Sequence, residues 1–156
     1  MSLDESFFFY DSLVRRLWIY KDLRPVIRLT GSHRHFCIFG AIGLDNRQIF
    51  RQYDRFNQNT LYKFLKQLHY KFPKCYLVLD KAYPHYKSEK VRKYFDEHKN
   101  SLIPVWLPTA SPEFMVLEEC WHISKNDLLV LSYYSSFTDF RKRIGHYFRL
   151  QILERE

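Results

Sequence analysis

The apolar residues of this chain change their spacing about a third of the way along it, and this change restricts the fold more than any other feature. Before residue 54 the apolar runs have the length of β-strands, at 4–10, 15–20, 25–30, 35–42 and 48–53. After it, helical spacings alternate with two further strand-like runs, 75–80 and 101–107. Successive strands followed by strand–helix–strand–helix predict an α/β fold, with one mixed sheet and helices packed on its faces.

Polar residues suited to helix capping mark where the helices of the second half begin. Asn59 is the candidate cap for a helix over 61–72, and Ser88 is the candidate cap for the next helix. Ser111 stands before a third helix, and a fourth is predicted over 136–149. We find no repeat and no linker, so a single domain over 1–156 is expected.

Composition and charge limit the kinds of partner. The chain has 156 residues, 46% apolar and 27% charged, which is typical of a folded soluble protein. Its net charge of +8 favours polyanionic partners, because neutralised phosphates release their counterions. No apolar run is long enough to cross a bilayer and no secretory leader is apparent, so we expect a cytoplasmic protein with no membrane partner. The three cysteines are odd in number and far apart, which predicts free thiols.

Three acidic residues stand at the places where chemistry is expected. Asp80 ends the apolar run 75–80, Glu118 lies beside the apolar face of the third helix, and Asp4 heads the first run. Carboxylates next to a core are costly unless something compensates their charge, and a hard divalent cation does so. Taken singly, each has an ordinary structural interpretation: a turn residue, a solvated helix residue and a terminal residue. Taken together, they predict a metal site for phosphoryl transfer on nucleic acid.

The motifs around these acids resemble the catalytic domain of DDE-superfamily transposases, in the prokaryotic insertion-sequence branch related to mariner elements. The first motif is Asp-Glu-Ser at 4–6, and the second is Leu-Asp-Lys-Ala-Tyr-Pro-His at 79–85. The third, at 107–121, reads Leu-Pro-Thr-Ala-Ser-Pro-Glu and continues through Glu118 to Trp121. Further matches of the family pattern are Trp18, Lys21, Arg24, Pro25, Phe39, Gly40, Ala41 and Lys125.

This resemblance implies a fold, a chemistry and partners. The implied fold is ribonuclease-H-like: a mixed five-stranded sheet, its first three strands antiparallel, with helices on both faces. The implied catalytic and metal-binding triad is Asp4, Asp80 and Glu118, with two Mg²⁺ or Mn²⁺ ions. The implied activity is DNA cleavage and strand transfer at transposon ends, on double-stranded DNA, with a homodimer as an open option.

Two differences from the family pattern and one missing region favour an alternative function. Lys81 stands where the family has asparagine after the second acid, and Met115 replaces an asparagine before the third. We expect no counterpart here of the helix-turn-helix region that precedes the family's catalytic domain. The alternative is a catalytically decayed remnant that keeps the fold and binds DNA without sequence preference.

Basic residues are the candidates for holding DNA phosphates. Each of them also has a bland interpretation as part of a solvated surface, and His85 as a solvated loop residue. The candidates are Lys81, His85, Lys87, Lys125, Arg141 and Arg143. A third interpretation, a single-strand or RNA binder that uses exposed aromatics, is weaker, because the aromatics fall at spacings expected for a core.

Overall fold

The computed structural model describes residues 1–13, 18, 20–24, 26–81, 86–108 and 116–150. The predicted helices over 61–72, after Ser88 and over 136–149 are confirmed, while the predicted cap Ser111 lies outside the described residues. The elements in chain order are β1 (Ser2–Phe9), β2 (His35–Ile42), β3 (Gln48–Tyr53), α1 (Gln58–Lys71), β4 (Cys75–Leu79), α2 (Glu89–Glu97), β5 (Leu102–Trp106), α3 (Val116–Leu129) and α4 (Phe137–Leu150).

The five strands form one mixed sheet in the order β3-β2-β1-β4-β5. β2 and β3 are antiparallel, whereas β4 runs parallel to both of its neighbours, β1 and β5. Where β1 ends and β2 begins, the Tyr10 amide donates to the Arg34 carbonyl at 2.8 Å, as expected of antiparallel neighbours. The prediction of an α/β fold built on a mixed five-stranded sheet is confirmed.

The chain groups into two compact units. The first comprises Met1–Phe7 and Phe36–Cys120, and the second comprises Phe8–His35 and Trp121–Glu156. The prediction of a single domain over 1–156 stays a prediction.

The core of the first unit lies between the sheet and the helices α1 and α2. Leu3 of β1, Phe39 of β2, Phe64 of α1, Leu77 of β4 and Phe95 of α2 all belong to it, and each is 5% exposed or less. The rings of Phe39 and Phe64 stack with centroids 5.4 Å apart. Burial of such side chains, at roughly 1.5–3 kcal/mol each, is the main stabilising contribution to a unit of this kind.

Helix α1 begins one turn earlier in the chain than its apolar pattern indicates. Its cap is Asn57, not the predicted Asn59: the Asn57 side chain accepts from the amides of Asn59 (2.9 Å) and Thr60 (3.1 Å). The Thr60 hydroxyl in turn accepts from the Asn57 amide, which completes a capping box. The predicted cap of α2 is confirmed, since the Ser88 hydroxyl accepts from the Val91 amide.

The second unit has an aromatic core of its own. Phe8, at the end of β1, meets Trp121 of α3 and Phe148 of α4 edge-on, with centroids 6.5 and 5.8 Å apart. Tyr10 contacts the rings of Phe137 and Phe140 at 5.6 and 5.5 Å. Edge-to-face packing of this type adds roughly 0.5–1.5 kcal/mol per pair beyond area burial.

One predicted strand is wrong and another is outside the described region. Residues 26–30 form no strand, because Val26 is 92% and Leu29 58% exposed, so their apolar pattern is not buried in a sheet. Thr30 is held by side-chain bonds instead: its amide donates to the Asp11 carboxylate and its hydroxyl to the Tyr10 carbonyl. Most of the predicted strand 15–20 lies outside the described residues.

Two further expectations concern membranes and thiols. In the described part of the chain, none of the helices combines the length and the apolar character that a bilayer span requires. Cys37, Cys75 and Cys120 are free, and the first two are buried, in agreement with the prediction of unpaired thiols.

Candidate functional site

Asp4 and Asp80 lie on neighbouring strands at the same level. β1 and β4 pair in parallel with Ser2 opposite Val78, and the Val78 amide donates to the Met1 carbonyl at 2.8 Å. Continued by two residues, this register sets Asp4 opposite Asp80. Adjacent strands are about 4.8 Å apart, so the two carboxylates are close neighbours.

The two carboxylates also share one face of the sheet. In β4 the core residues are Cys75, Leu77 and Leu79, while Tyr76 is 63% exposed, so even-numbered positions point away from the core. In β1, Leu3 and Phe7 pack with the same core, which turns Asp4 to the same side as Asp80. Both residues are half-buried. β1 is the central strand of the sheet and lies next to β4, so Asp4 stands on the strand beside the one that leads to Asp80.

Glu118 lies in the first turn of α3 and is exposed. Its neighbour Leu117 is fully buried, so the helix is anchored by the residue next to it. A carboxylate in a first turn is favoured by the positive end of the helix dipole. The structure therefore leaves Glu118 open to solvent rather than in contact with the core.

A hard divalent cation fits the Asp4–Asp80 pair in its donor chemistry. Magnesium is commonly held by one or two carboxylates, with water and substrate phosphate completing its coordination. Among the residues that the structure describes, no three His, Cys, Asp or Glu side chains are grouped so as to hold a metal ion. The structure thus brings two of the three predicted acids together and does not add Glu118 to them.

A buried thiol reports on the charge of this region. Burial, together with the negative charges of Glu5 and Asp4, raises the pKa of the Cys37 thiol to about 12. Cys37 is fully buried in β2, the strand next to β1. Its thiol is therefore unsuited to nucleophilic chemistry, and the acidic end of β1 carries a negative field that a cation would relieve.

The predicted phosphate contacts are distributed over both units. In the first unit Lys81 follows Asp80 directly and is exposed, as is Lys87 just before α2. In the second unit the Lys125 ammonium lies 5.6 Å from the centre of the Phe8 ring, and Arg143 of α4 is exposed. Arg141, also on α4, is half-buried. The predicted contact His85, like Met115 with its departure from the family pattern, lies outside the described residues.

A groove between α2 and β5 was not predicted. Tyr86, Arg92, Asp96 and Trp106 are among the residues that line it. Their sequence positions carry no motif, and Trp106 sits in a strand where a core role is the default interpretation. The pairing of β5 with β4 places Trp106, and with it the groove, beside the strand that leads to Asp80. The spacing of residues in the sequence does not show this pairing.

Several solved structures are similar to this chain. They include the Mos1 transposase paired-end complex with left transposon end (TM-score 0.68, 15% identity) and the Mos1 mariner paired end complex with Mn (TM-score 0.66, 15% identity). Each match covers 96% of this chain and 47% of the other. The Mos1 mariner paired end complex with Mg matches with a TM-score of 0.57 and 16% identity over 94% of this chain and 47% of the other.

At these identities the likeness shows the fold, which is ribonuclease-H-like as predicted, and the chain spans about half the length of the matched chains. No curated protein matches the sequence. The family described as DDE superfamily endonuclease matches residues 1–141. Its match extends over β1, which carries Asp4, the end of β4 at Asp80, and Glu118 of α3. The chain belongs to the DDE superfamily endonucleases.

Proposed function

We propose that this chain is the catalytic domain of an insertion-sequence transposase, which cleaves double-stranded DNA at transposon ends and transfers the cut strand. The observation that carries the proposal is the alignment of Asp4 with Asp80 on adjacent parallel strands, on one face of the sheet. The family match supports the reaction class. The similar Mos1 structures, which are complexes with a transposon end, with Mn and with Mg, support DNA as partner and a divalent cofactor.

In this proposal Asp4, Asp80 and Glu118 are the metal-binding and catalytic residues for Mg²⁺ or Mn²⁺. Bound metal would supply charge neutralisation at the scissile phosphate and activation of the attacking oxygen. Asp4 and Asp80 contribute the ligands, held in register by the β1–β4 ladder. Glu118 contributes from the exposed first turn of α3. Positioning and charge neutralisation are the protein's principal share of such a reaction.

The same proposal assigns DNA binding to basic residues. Lys81 and Lys87 of the first unit, and Lys125, Arg141 and Arg143 of the second, hold DNA phosphates, as does His85. Such contacts carry affinity without reading sequence. Homodimerisation and a location in the cytoplasm belong to the proposal as well.

The test is nicking of supercoiled plasmid by the purified chain with Mn²⁺. We expect nicked circles from the native protein and a loss of several orders of magnitude in rate for Asp80→Asn, which keeps the side-chain size and removes the charge. Glu118→Gln should lose activity in the same way, and Glu119→Gln, the adjacent exposed carboxylate on α3, is the matched control that should retain it. Equal nicking by native protein and Asp80→Asn would refute the proposal.

The decayed remnant remains the second candidate, because Glu118 is not grouped with the two aspartates and Lys81 follows Asp80. It predicts DNA binding without nicking and without saturable metal binding. Isothermal titration with Mn²⁺ separates the two candidates, since an intact site gives a saturable isotherm that Asp80→Asn abolishes.

A further inference from the structure

A groove of about 630 Å³ runs between α2 and β5 in the first unit. This volume lies within the range of roughly 300–1,000 Å³ that ligand sites commonly have. Of the site residues proposed above that the structure describes, only Lys87 belongs to its wall. Its chemistry therefore has to be explained separately.

Aromatic rings form one part of the wall. Trp106 is flanked edge-on by Tyr86 and Phe95, with centroids 5.3 and 6.2 Å away and interplanar angles of 82° and 86°. Phe95 is buried, whereas Tyr86 is 46% exposed. Two perpendicular neighbours hold the indole in place, so little side-chain entropy remains to be lost when a flat ligand binds to it.

Charged side chains form another part of the groove wall. Lys87 and Arg92 line the groove with exposed cationic side chains, and Asp96 adds one carboxylate. Cations next to aromatic rings suit a ligand that combines a flat base with a phosphate. The Asp96 carboxylate can accept from the amino groups of a base.

The position of the groove favours a single strand over a duplex. Trp106 is paired with Leu79, and the Leu107 amide donates to the Leu79 carbonyl at 2.8 Å. Asp80 is the next residue, but it faces the other side of the sheet from the core against which Trp106 packs. A ligand that runs from Asp80 to the groove therefore has to turn sharply from one face of the sheet to the other, over the ends of β4 and β5 or around the edge strand β5. A duplex, with a persistence length of about 150 base pairs, is too stiff for that turn.

We propose that this groove binds a single-stranded DNA segment, with a base stacked on one of the perpendicular rings of Trp106 and Tyr86 and edge-on to the other, and its phosphates next to Lys87 and Arg92. The segment would be the strand that leaves the site at Asp80, and in this respect the inference rests on the proposed function. Binding itself requires neither metal nor cleavage.

The test is fluorescence anisotropy with a labelled oligothymidylate in EDTA. We expect Tyr86→Ala and Trp106→Leu to bind roughly tenfold or more weakly, as when one base-stacking ring is removed. Arg92→Ala should lower the slope of log K against log salt by about 0.7, the value for one phosphate contact on a single strand. The matched controls are Tyr76→Ala, an aromatic 63% exposed on β4, and Lys93→Ala, the exposed cation next to Arg92; both should bind as native protein does.

Three results would overturn the inference. One is undiminished binding by Tyr86→Ala, which decides the matter even if Trp106→Leu, altered at a residue that packs on the core, fails to fold. The second is an equal weakening of oligonucleotide binding in Arg92→Ala and Lys93→Ala, which would show that binding depends on net charge alone. The third is competition by a duplex or by polyglutamate as effective as that by unlabelled oligothymidylate. The anisotropy assay contains no metal, so it tests binding separately from cleavage. A protein that binds the oligonucleotide but does not nick plasmid refutes only the proposed cleavage. A protein that nicks plasmid but does not bind the oligonucleotide refutes only this inference.

Discussion

Asp4 of β1 and Asp80, directly after β4, occupy the same level of two adjacent parallel strands and the same face of the sheet. Two negative charges at strand spacing repel each other, and the ladder prevents them from separating. A bound cation converts this repulsion into attraction. If the proposed function holds, the stability of the protein should therefore respond to divalent metal.

Divalent metal should stabilise the native protein and not the Asp80→Asn variant. At a Mn²⁺ concentration a hundredfold above Kd, binding adds about 2.7 kcal/mol to the free energy of unfolding. For a chain of this size that raises Tm by roughly 5–10 °C, measurable by differential scanning fluorimetry. Glu119→Gln should keep the full shift, and an equal shift in Asp80→Asn would place the metal elsewhere.

Asn57, which caps α1, and Asn59, which does not, should differ in their contribution to stability. Asn57→Ala removes the acceptor for the amides of Asn59 and Thr60, and should lower the free energy of unfolding by about 1 kcal/mol. The Asn59 side chain instead accepts from the Lys90 ammonium at 2.9 Å, an exposed contact, so Asn59→Ala should cost only a few tenths of a kcal/mol. Urea unfolding measures both, and the reverse order would contradict the assigned cap.

A histidine in the first unit should make stability depend on pH. The Ser101 hydroxyl donates to the His98 carbonyl, so it accepts from His69 Nε2 at 3.0 Å, which leaves Nδ1 to accept from the Tyr94 hydroxyl at 3.0 Å. Burial and the nearby His98 lower the pKa of His69 below its usual 6.5.

The unfolded chain therefore binds this proton more readily than the native one, and stability is lost as pH falls from about 6.5 through the lowered pKa of His69. Urea midpoints at pH 7.5 and 5.5 should differ more for native protein than for His69→Gln. His122→Gln, at an exposed position of α3, is the control that should keep the native difference.

Thiol reactivity should follow burial. Cys37, with its pKa raised to about 12, and Cys75, whose pKa burial also raises, should not react with a disulfide reagent at pH 8 in the native state. Cys120 is partly exposed and should react first. Rapid labelling that persists in Cys120→Ser would show that β2 or β4 opens more readily than its burial indicates.

Most of the fold could be predicted from the spacing of apolar residues, and its failures have physical causes. Residues 26–30 have a strand-like apolar pattern, but Val26 and Leu29 remain exposed, and a pattern does not show whether a partner strand covers it. The Asn57 cap was missed because the apolar face of α1 begins at Leu61, one turn inside the helix.

For the site, the run ending at Asp80 was enough to predict its place at the end of a strand. Its pairing with Asp4 depended on β1 being central, a long-range property that residue spacing does not contain. The groove beside Trp106 could not be predicted for the same reason, since it is formed by α2 and an edge strand brought together by the β4–β5 pairing.

The most direct measurement is the anomalous scattering of Mn²⁺ in crystals of the native chain soaked with the metal. We expect a peak within coordinating distance, about 2.1 Å for ions of this type, of carboxylate oxygens of both Asp4 and Asp80. The peak should vanish in Asp80→Asn crystals soaked in the same way. A peak that contacts neither aspartate would contradict metal binding by Asp4 and Asp80. So would the absence of any peak at a Mn²⁺ concentration that saturates binding in solution.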